Sequence, residues 1–123
     1  MANEFSVTRS TEGEITLLAL EGFLDAHTAP DFEAAVQQEI DAGHTHLIVD
    51  AQELTYISSA GLGVFMGFIE EVREAGGDLK ICGLQPSVRE VFDLLGFDAL
   101  FDIEADRASA TARFSETPSG GTS

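Results

Sequence analysis

A chain of 123 residues is long enough for one domain with a real hydrophobic core and too short for two of ordinary size. Twenty-two Asp and Glu stand against six Lys and Arg, a formal net charge of −16. So negative a surface excludes nucleic acid and anionic membranes as ligands, because both are bound through cations that displace counterions; a basic protein partner and charge kept only for solubility both remain open.

The chain starts Met1-Ala2-Asn3-Glu4-Phe5, without a basic patch leading into an apolar segment, and no apolar run approaches the roughly 18 residues of a membrane span. A cytoplasmic protein with no direct membrane insertion is expected. Residues Phe5 to Arg9 and Ile15 to Glu21 read as two strands, with Ser10-Thr11-Glu12-Gly13 as a hairpin turn. After Gly22-Phe23-Leu24-Asp25, Thr28 is placed to cap a helix, with Asp31 completing a capping-box variant and Pro30 in the first turn. Phe32, Val36 and Ile40 mark its inner face, and Gly43 stops it.

Leu47-Ile48-Val49-Asp50 has the continuous apolar pattern of a central strand, followed by a loop from Ala51 to Ile57. A second helix places Leu62, Phe65, Met66, Ile69 and Val72 inward and Glu70, Glu71, Arg73 and Glu74 largely outward, and ends at Gly76-Gly77. Asp78 to Cys82 forms the next strand. Cys82, the only cysteine, reads as a small core residue rather than a reactive thiol. Pro86 opens a third helix whose Val88, Val91, Phe92 and Leu95 face the core before Gly96. Leu100 to Ile103 adds a short strand, and Ala105 to Phe114 a possible terminal helix. The Ser-, Thr- and Gly-rich residues 115–123 read as a flexible tail after a domain spanning 1–114. The order β-β-α-β-α-β-α-β, with right-handed crossovers, predicts an α/β sandwich: a mixed, largely parallel sheet with helices packed on it.

The segment Thr55-Tyr56-Ile57-Ser58-Ser59-Ala60-Gly61-Leu62-Gly63 places adjacent hydroxyls at a helix entrance. First-turn N–H groups lack intrahelical partners and carry positive dipole character, so either an ordinary serine cap or a phosphate fits there. The residues alone leave both readings open. Asp50 could be taken for the phosphoaspartate of a receiver domain, but the first strand ends in no acidic pair and Lys80 is not in a Lys-Pro turn, so a structural or loop-capping role is expected. Gly61-x-Gly63 with Gly67 lacks the dinucleotide spacing and is read as close helix packing. His44-Thr45-His46 lacks further ligands and is read as solvated loop histidines, with no metal. No Ser-His-Asp order or carboxylate pair makes a case for catalysis.

Taken together, Leu47-Ile48-Val49-Asp50, Ile57-Ser58-Ser59-Ala60-Gly61-Leu62-Gly63, Gly76-Gly77, Cys82-Gly83-Leu84, Val88-Arg89-Glu90-Val91-Phe92 and Gly22-Phe23-Leu24-Asp25 with Thr28 resemble bacterial anti-sigma factor antagonists of the STAS class, from Phe5 to Ile103. The resemblance implies a STAS-like fold and a phosphorylation switch at Ser59, two residues before the glycine, with Ser58 as the fallback acceptor. Ser58 stands where the family often has Asp, and Ala60 where it often has Ser. Asp25, Ser58, Ser59, Ala60, Gly61 and Leu62 are the implied partner-binding residues. The implied partners are an anti-sigma factor that is also a serine kinase, bound by the unphosphorylated form so that the sigma factor is released, and a metal-dependent serine phosphatase that reverses phosphorylation. No cofactor and no enzyme activity of its own are implied. The alternative within the fold is an accessory STAS subunit of a transporter or other signalling complex that Ser59 does not control.

Overall fold

The computed structural model describes residues 5–116. Strands β1 (Phe5–Glu12) and β2 (Ile15–Leu24) form an antiparallel hairpin. Glu12 pairs with Ile15, so the turn is the two residues 13–14 and the expected turn residues Ser10, Thr11 and Glu12 belong to β1. Gly13, at a φ of 63°, supplies the positive φ that a two-residue hairpin turn favours. Helix α1 (Ala29–Asp41), strand β3 (His46–Ile57), helix α2 (Ser59–Glu74), strand β4 (Asp78–Cys82) and helix α3 (Pro86–Leu94) follow. A short 3₁₀ turn (Phe97–Ala99), strand β5 (Ile103–Glu104) and helix α4 (Arg107–Glu116) complete the described chain.

The sheet order is β1-β2-β3-β4-β5, parallel throughout except for β1. This is the mixed, largely parallel sheet expected. Leu18, Leu20, Leu47, Val49, Leu79 and Ile81 point to the face carrying α1, α2 and α3, while Leu17, Ile48 and Cys82 meet Ala110 of α4 on the other. The larger core is aromatic at its centre: Phe65 lies 5.1 Å from Phe32, 5.6 Å from Phe92 and 6.0 Å from Phe101, measured between ring centroids. Each such buried side chain contributes about 1.5–3 kcal/mol through removal from water.

Several expectations are corrected. The loop expected over 51–57 is instead the second half of β3. Polar Gln52, Glu53 and Thr55 interrupt the apolar run, but β4 ends opposite Asp50 and leaves this half-strand paired only with β2, so those side chains stand in solvent while Leu54 and Ile57 turn inward. Met66 is 44% exposed, and the inner face of α2 is completed by Val64 and Phe68. Leu95 caps the end of α3 and is 57% exposed; Phe97 and Phe101 fill the core in its place. The last strand is displaced from 100–103 to Ile103–Glu104, and the terminal helix runs two residues later than expected, so Ser115 and Glu116 belong to it. The rest of the expected tail, 117–123, lies outside the described residues.

Charged side chains tie the layers together. Glu39, buried on α1, accepts from Arg9 of β1 and bonds to His44 Nδ1 at 2.8 Å. Burial pushes its carboxyl up, but the Arg9 and His44 hydrogen bonds outweigh this and hold it below the usual glutamate range. Lys80, also buried, pairs with Asp78 at 2.9 Å and Asp102 at 2.7 Å and lies 4.6 Å from the Phe114 ring centroid. His46 is not a loop residue: it opens β3 and its ring lies 5.2 Å from that of Phe114. Asp50 has the structural role expected, pairing with Arg107 and accepting the Gln52 N–H at 3.0 Å.

Candidate functional site

The site is assembled where β2 and β3 end side by side. Leu24 pairs with Ile57 in the parallel register, and the N–H of Ser58 donates to the Leu24 carbonyl at 2.9 Å. That bond sets the start of α2 against the Asp25 turn. Ser58 is the N-cap in extended conformation, and its carbonyl accepts the Leu62 N–H at 3.0 Å to begin the helix. Its hydroxyl does not cap: Ser58 Oγ is buried and has no hydrogen-bond partner among the described residues. Ser59, the first helical residue, is exposed, and Ala60 is half-buried. Gly61 and Leu62 are buried. A Cβ on Gly61 would stand 2.7 Å from Leu24 Cγ and 3.0 Å from Ile57 Cγ1, so this glycine lets α2 sit directly on the strand ends.

Asp25 organises the opposing turn. Its Oδ1 accepts the N–H groups of His27 at 2.9 Å and Thr28 at 3.1 Å, and its carbonyl accepts Ala29 N–H at 2.7 Å. Thr28 is the N-cap residue of α1, as expected, but its hydroxyl bonds to no first-turn N–H. Its hydroxyl instead donates to the Phe23 carbonyl at 2.8 Å and accepts the Asp25 N–H at 2.9 Å, so it locks the turn. The Asp25 carboxylate holds the turn ahead of the helix, and the first helical N–H, of Ala29, goes to the Asp25 carbonyl.

Two features were not read from the sequence. Gly63 and Gly67 do not serve the close packing expected of them, because a Cβ on either meets nothing within 4 Å. They line an open groove of about 420 Å³ between α1 and α2, with Ala60, Ala29, Pro30 and Phe68. The helical spacing Ser59, Gly63, Gly67 was the available signal, since an exposed serine places its i+4 and i+8 neighbours outside too. The second is an exposed aromatic pair, Phe23 and Tyr56, with ring centroids 5.5 Å apart. Reading 51–57 as a loop concealed that the two are paired across adjacent strands.

The exposed Ser59 hydroxyl stands in the first turn of a 16-residue helix, where N–H groups lack intrahelical partners and an anion is favoured. Among the described residues, no group of three His, Cys, Asp or Glu is arranged to hold a metal ion, and no helix is long and apolar enough to cross a membrane. Cys82 is buried, and burial, with the nearby Asp50 charge, pushes its thiol up to about 12.

Comparison with known proteins places this geometry. The STAS domain family matches residues 6–110. A candidate anti-sigma factor antagonist of Bordetella bronchiseptica, BtrV, is 36% identical over 80% of the chain and 84% of its own length. Among solved structures, an anti-sigma factor antagonist from Mycobacterium paratuberculosis has a TM-score of 0.87 at 18% identity, covering 94% of this chain and 98% of its own. The antagonist SpoIIAA in its unphosphorylated form has a TM-score of 0.76 at 24% identity, covering 94% and 99%. The phosphorylated form of the Bacillus protein scores 0.69 at the same identity, covering 90% and 99%.

Proposed function

The chain belongs to the STAS-domain family of anti-sigma factor antagonists, which regulate by binding and not by catalysis, and from that premise we propose that it is a partner switch whose state is set by phosphate on Ser59. The unphosphorylated form binds an anti-sigma factor and releases the sigma factor. The anti-sigma factor is itself a serine kinase: Ser59 Oγ attacks the γ-phosphorus of ATP, the bond to the β-phosphate oxygen breaks, ADP leaves, and the hydroxyl proton passes to a base of the kinase. A serine phosphatase of the metal-dependent class restores the hydroxyl.

The observation that carries this reading is the contrast between two adjacent hydroxyls. Ser59 is exposed at the head of α2 and its hydroxyl makes no hydrogen bond among the described residues, whereas Ser58 Oγ is buried. Only the first is accessible to a kinase without local unfolding. A phosphate there adds a charge of about −1.5 to −2. On a chain already at −16, that charge and bulk weaken a docked complex unless the partner supplies cations. The Asp25 turn and Ala60 border the same hydroxyl and form the docking rim, while Gly61 and Leu62 act from beneath it by setting the seat of α2.

The test is phosphosite mass spectrometry after incubation with ATP and each serine kinase of the anti-sigma type from the same cell, with affinity for each kinase measured alongside. Phosphate on Ser59, absent from Ser59→Ala, with tight binding by Ser59→Ala and loss of binding by Ser59→Asp, is expected. Equal affinity of Ser59→Asp and wild type would favour an accessory subunit indifferent to Ser59.

A further inference from the structure

Among the described residues, the outer face of the sheet is covered by α4 at Leu17, Ile48 and Cys82, but not at the far ends of β2 and β3. There the alternation of both strands puts four exposed side chains on that uncovered face in two adjacent rungs. Leu20 and Leu24 point inward, so Glu21 and Phe23 point outward; Leu54 and Ile57 point inward, so Glu53 and Tyr56 point outward, with Thr55 as the extra residue of a bulge. In register, Glu21 stands beside Glu53 and Phe23 beside Tyr56.

Each rung is unfavourable as it stands. Two carboxylates on neighbouring strands repel. Two large rings, 45% and 47% exposed, leave apolar surface in water. No Lys or Arg side chain is left over for them. All six Lys and Arg are engaged elsewhere: Arg9 with Glu39, Arg73 with Asp78, Lys80 with Asp78 and Asp102, Arg89 with Asp93, Arg107 with Asp50, and Arg113 with Asp102 and Glu104. Among the described residues, the one hydrogen bond to this carboxylate pair runs from Ser6 Oγ to Glu21 at 3.5 Å.

We propose that this face is a docking surface for an arginine-bearing segment of a protein partner, with a guanidinium stacked on Phe23 and Tyr56 and its N–H groups donated to Glu21 and Glu53. Charge complementarity selects a cation, and the exposed aromatic rung, its two rings 5.5 Å apart and tilted by 46°, beside the carboxylate rung selects guanidinium over ammonium, because arginine both packs on an aromatic face and makes planar paired hydrogen bonds. The rungs directly precede Leu24 and Ile57, the strand ends on which α2 is seated at Gly61, so the surface lies at the same end of the sheet as the proposed switch. Assigning the arginine to the anti-sigma partner rests on that reading; the chemistry of the surface does not.

The experiment is a ¹H–¹⁵N NMR titration of the whole chain with a tetra-arginine peptide and, separately, tetra-lysine. Shifts concentrated at residues 21–23 and 53–56, tighter for arginine, and weakened about two- to fivefold in Phe23→Ala and in Glu53→Gln, are expected. The spectrum of each variant reports its own folding, and both positions are exposed. Shifts spread evenly over the acidic surface, equal response to lysine, or unchanged affinity in both variants overturns the proposal. So does concentration-dependent shifting of this face without peptide, which would make a second copy its occupant. A wild type that binds tetra-arginine here but no anti-sigma kinase would sink the switch reading alone; a wild type that binds the kinase equally with and without Phe23→Ala and Glu53→Gln would remove this surface from that complex alone.

Discussion

The N–H of Ser58 donates to the carbonyl of Leu24 at 2.9 Å, so the helix that begins at Ser59 is suspended from the strand end that leads into Asp25. A main-chain bond between two strand ends holds the two halves of the site, and neither serine hydroxyl takes part. The backbone therefore positions the site, and the side chains are free to specify what docks on it.

That division of labour makes Ser58 dispensable as a cap. A serine N-cap that bonds to the first-turn N–H groups is worth about 1 kcal/mol. Here Ser58 Oγ is buried without a partner, a state that itself costs about 1–3 kcal/mol. Ser58→Ala should leave urea stability unchanged or raise it by about 1 kcal/mol, and should keep phosphate acceptance at Ser59. A loss of about 1 kcal/mol would mean that the hydroxyl caps the helix in solution after all.

The glycines of α2 separate into two kinds. A methyl at Gly61 collides with Leu24 and Ile57, so Gly61→Ala should destabilise by about 1–3 kcal/mol through overpacking. Gly63 faces open space at a helical position, so Gly63→Ala should stabilise by up to about 1 kcal/mol through helix propensity. Chemical denaturation of the two variants side by side checks both signs; equal effects would contradict the seating of α2 described above.

Most of the fold was legible because its elements carry strong local signals. The apolar run at Leu47–Asp50, the helical period through Leu62, Phe65, Ile69 and Val72, and the stops at Gly43, Gly76 and Gly96 are properties of short windows. What failed depended on partners distant in the chain. Whether Gln52 to Tyr56 is strand or loop depends on pairing with Glu21 to Phe23, about 30 residues away, and a half-strand bonded on one side has no apolar pattern to reveal it. Thr28 does stand at the cap position, but its hydroxyl accepts the Asp25 N–H and donates to the Phe23 carbonyl, a closure of the preceding turn that the capping pattern does not contain. The family resemblance singled out Ser59 and Asp25; which of two adjacent hydroxyls is exposed is decided by how α2 sits on Leu24, which no local window contains.

The Arg9–Glu39–His44 group sets an acid limit on stability. Burial alone would raise the Glu39 carboxyl, but its two partners hold it below its ordinary value of about 4.3. The folded state therefore binds this proton more weakly than the unfolded state. The resulting stabilisation is complete above about pH 4.3 and disappears as pH falls through the lower folded value. Glu39→Gln should cost about 1–2 kcal/mol at pH 7 and progressively less on acidification, so that denaturation curves of variant and wild type converge toward pH 3. A gap independent of pH would show that packing, not charge, accounts for the loss.

Cys82 sets the opposite limit. Burial first, then the charge of Asp50, raises its thiol to about 12, against about 8.5 for a free cysteine. Here the folded state holds its proton more tightly than the unfolded state. The contribution is fully present below about pH 8.5 and is lost as pH rises toward 12, at a limiting slope of about 1.4 kcal/mol per pH unit. Between pH 8 and pH 10, wild type should therefore lose about 2 kcal/mol more stability than Cys82→Ala, whatever the absolute difference at pH 7. The native thiol should also resist a thiolate-specific reagent at pH 8 and react at once when unfolded in denaturant. Parallel alkaline profiles for the two proteins, or fast labelling of the native chain, would mean that α4 does not shield this face of the sheet in solution.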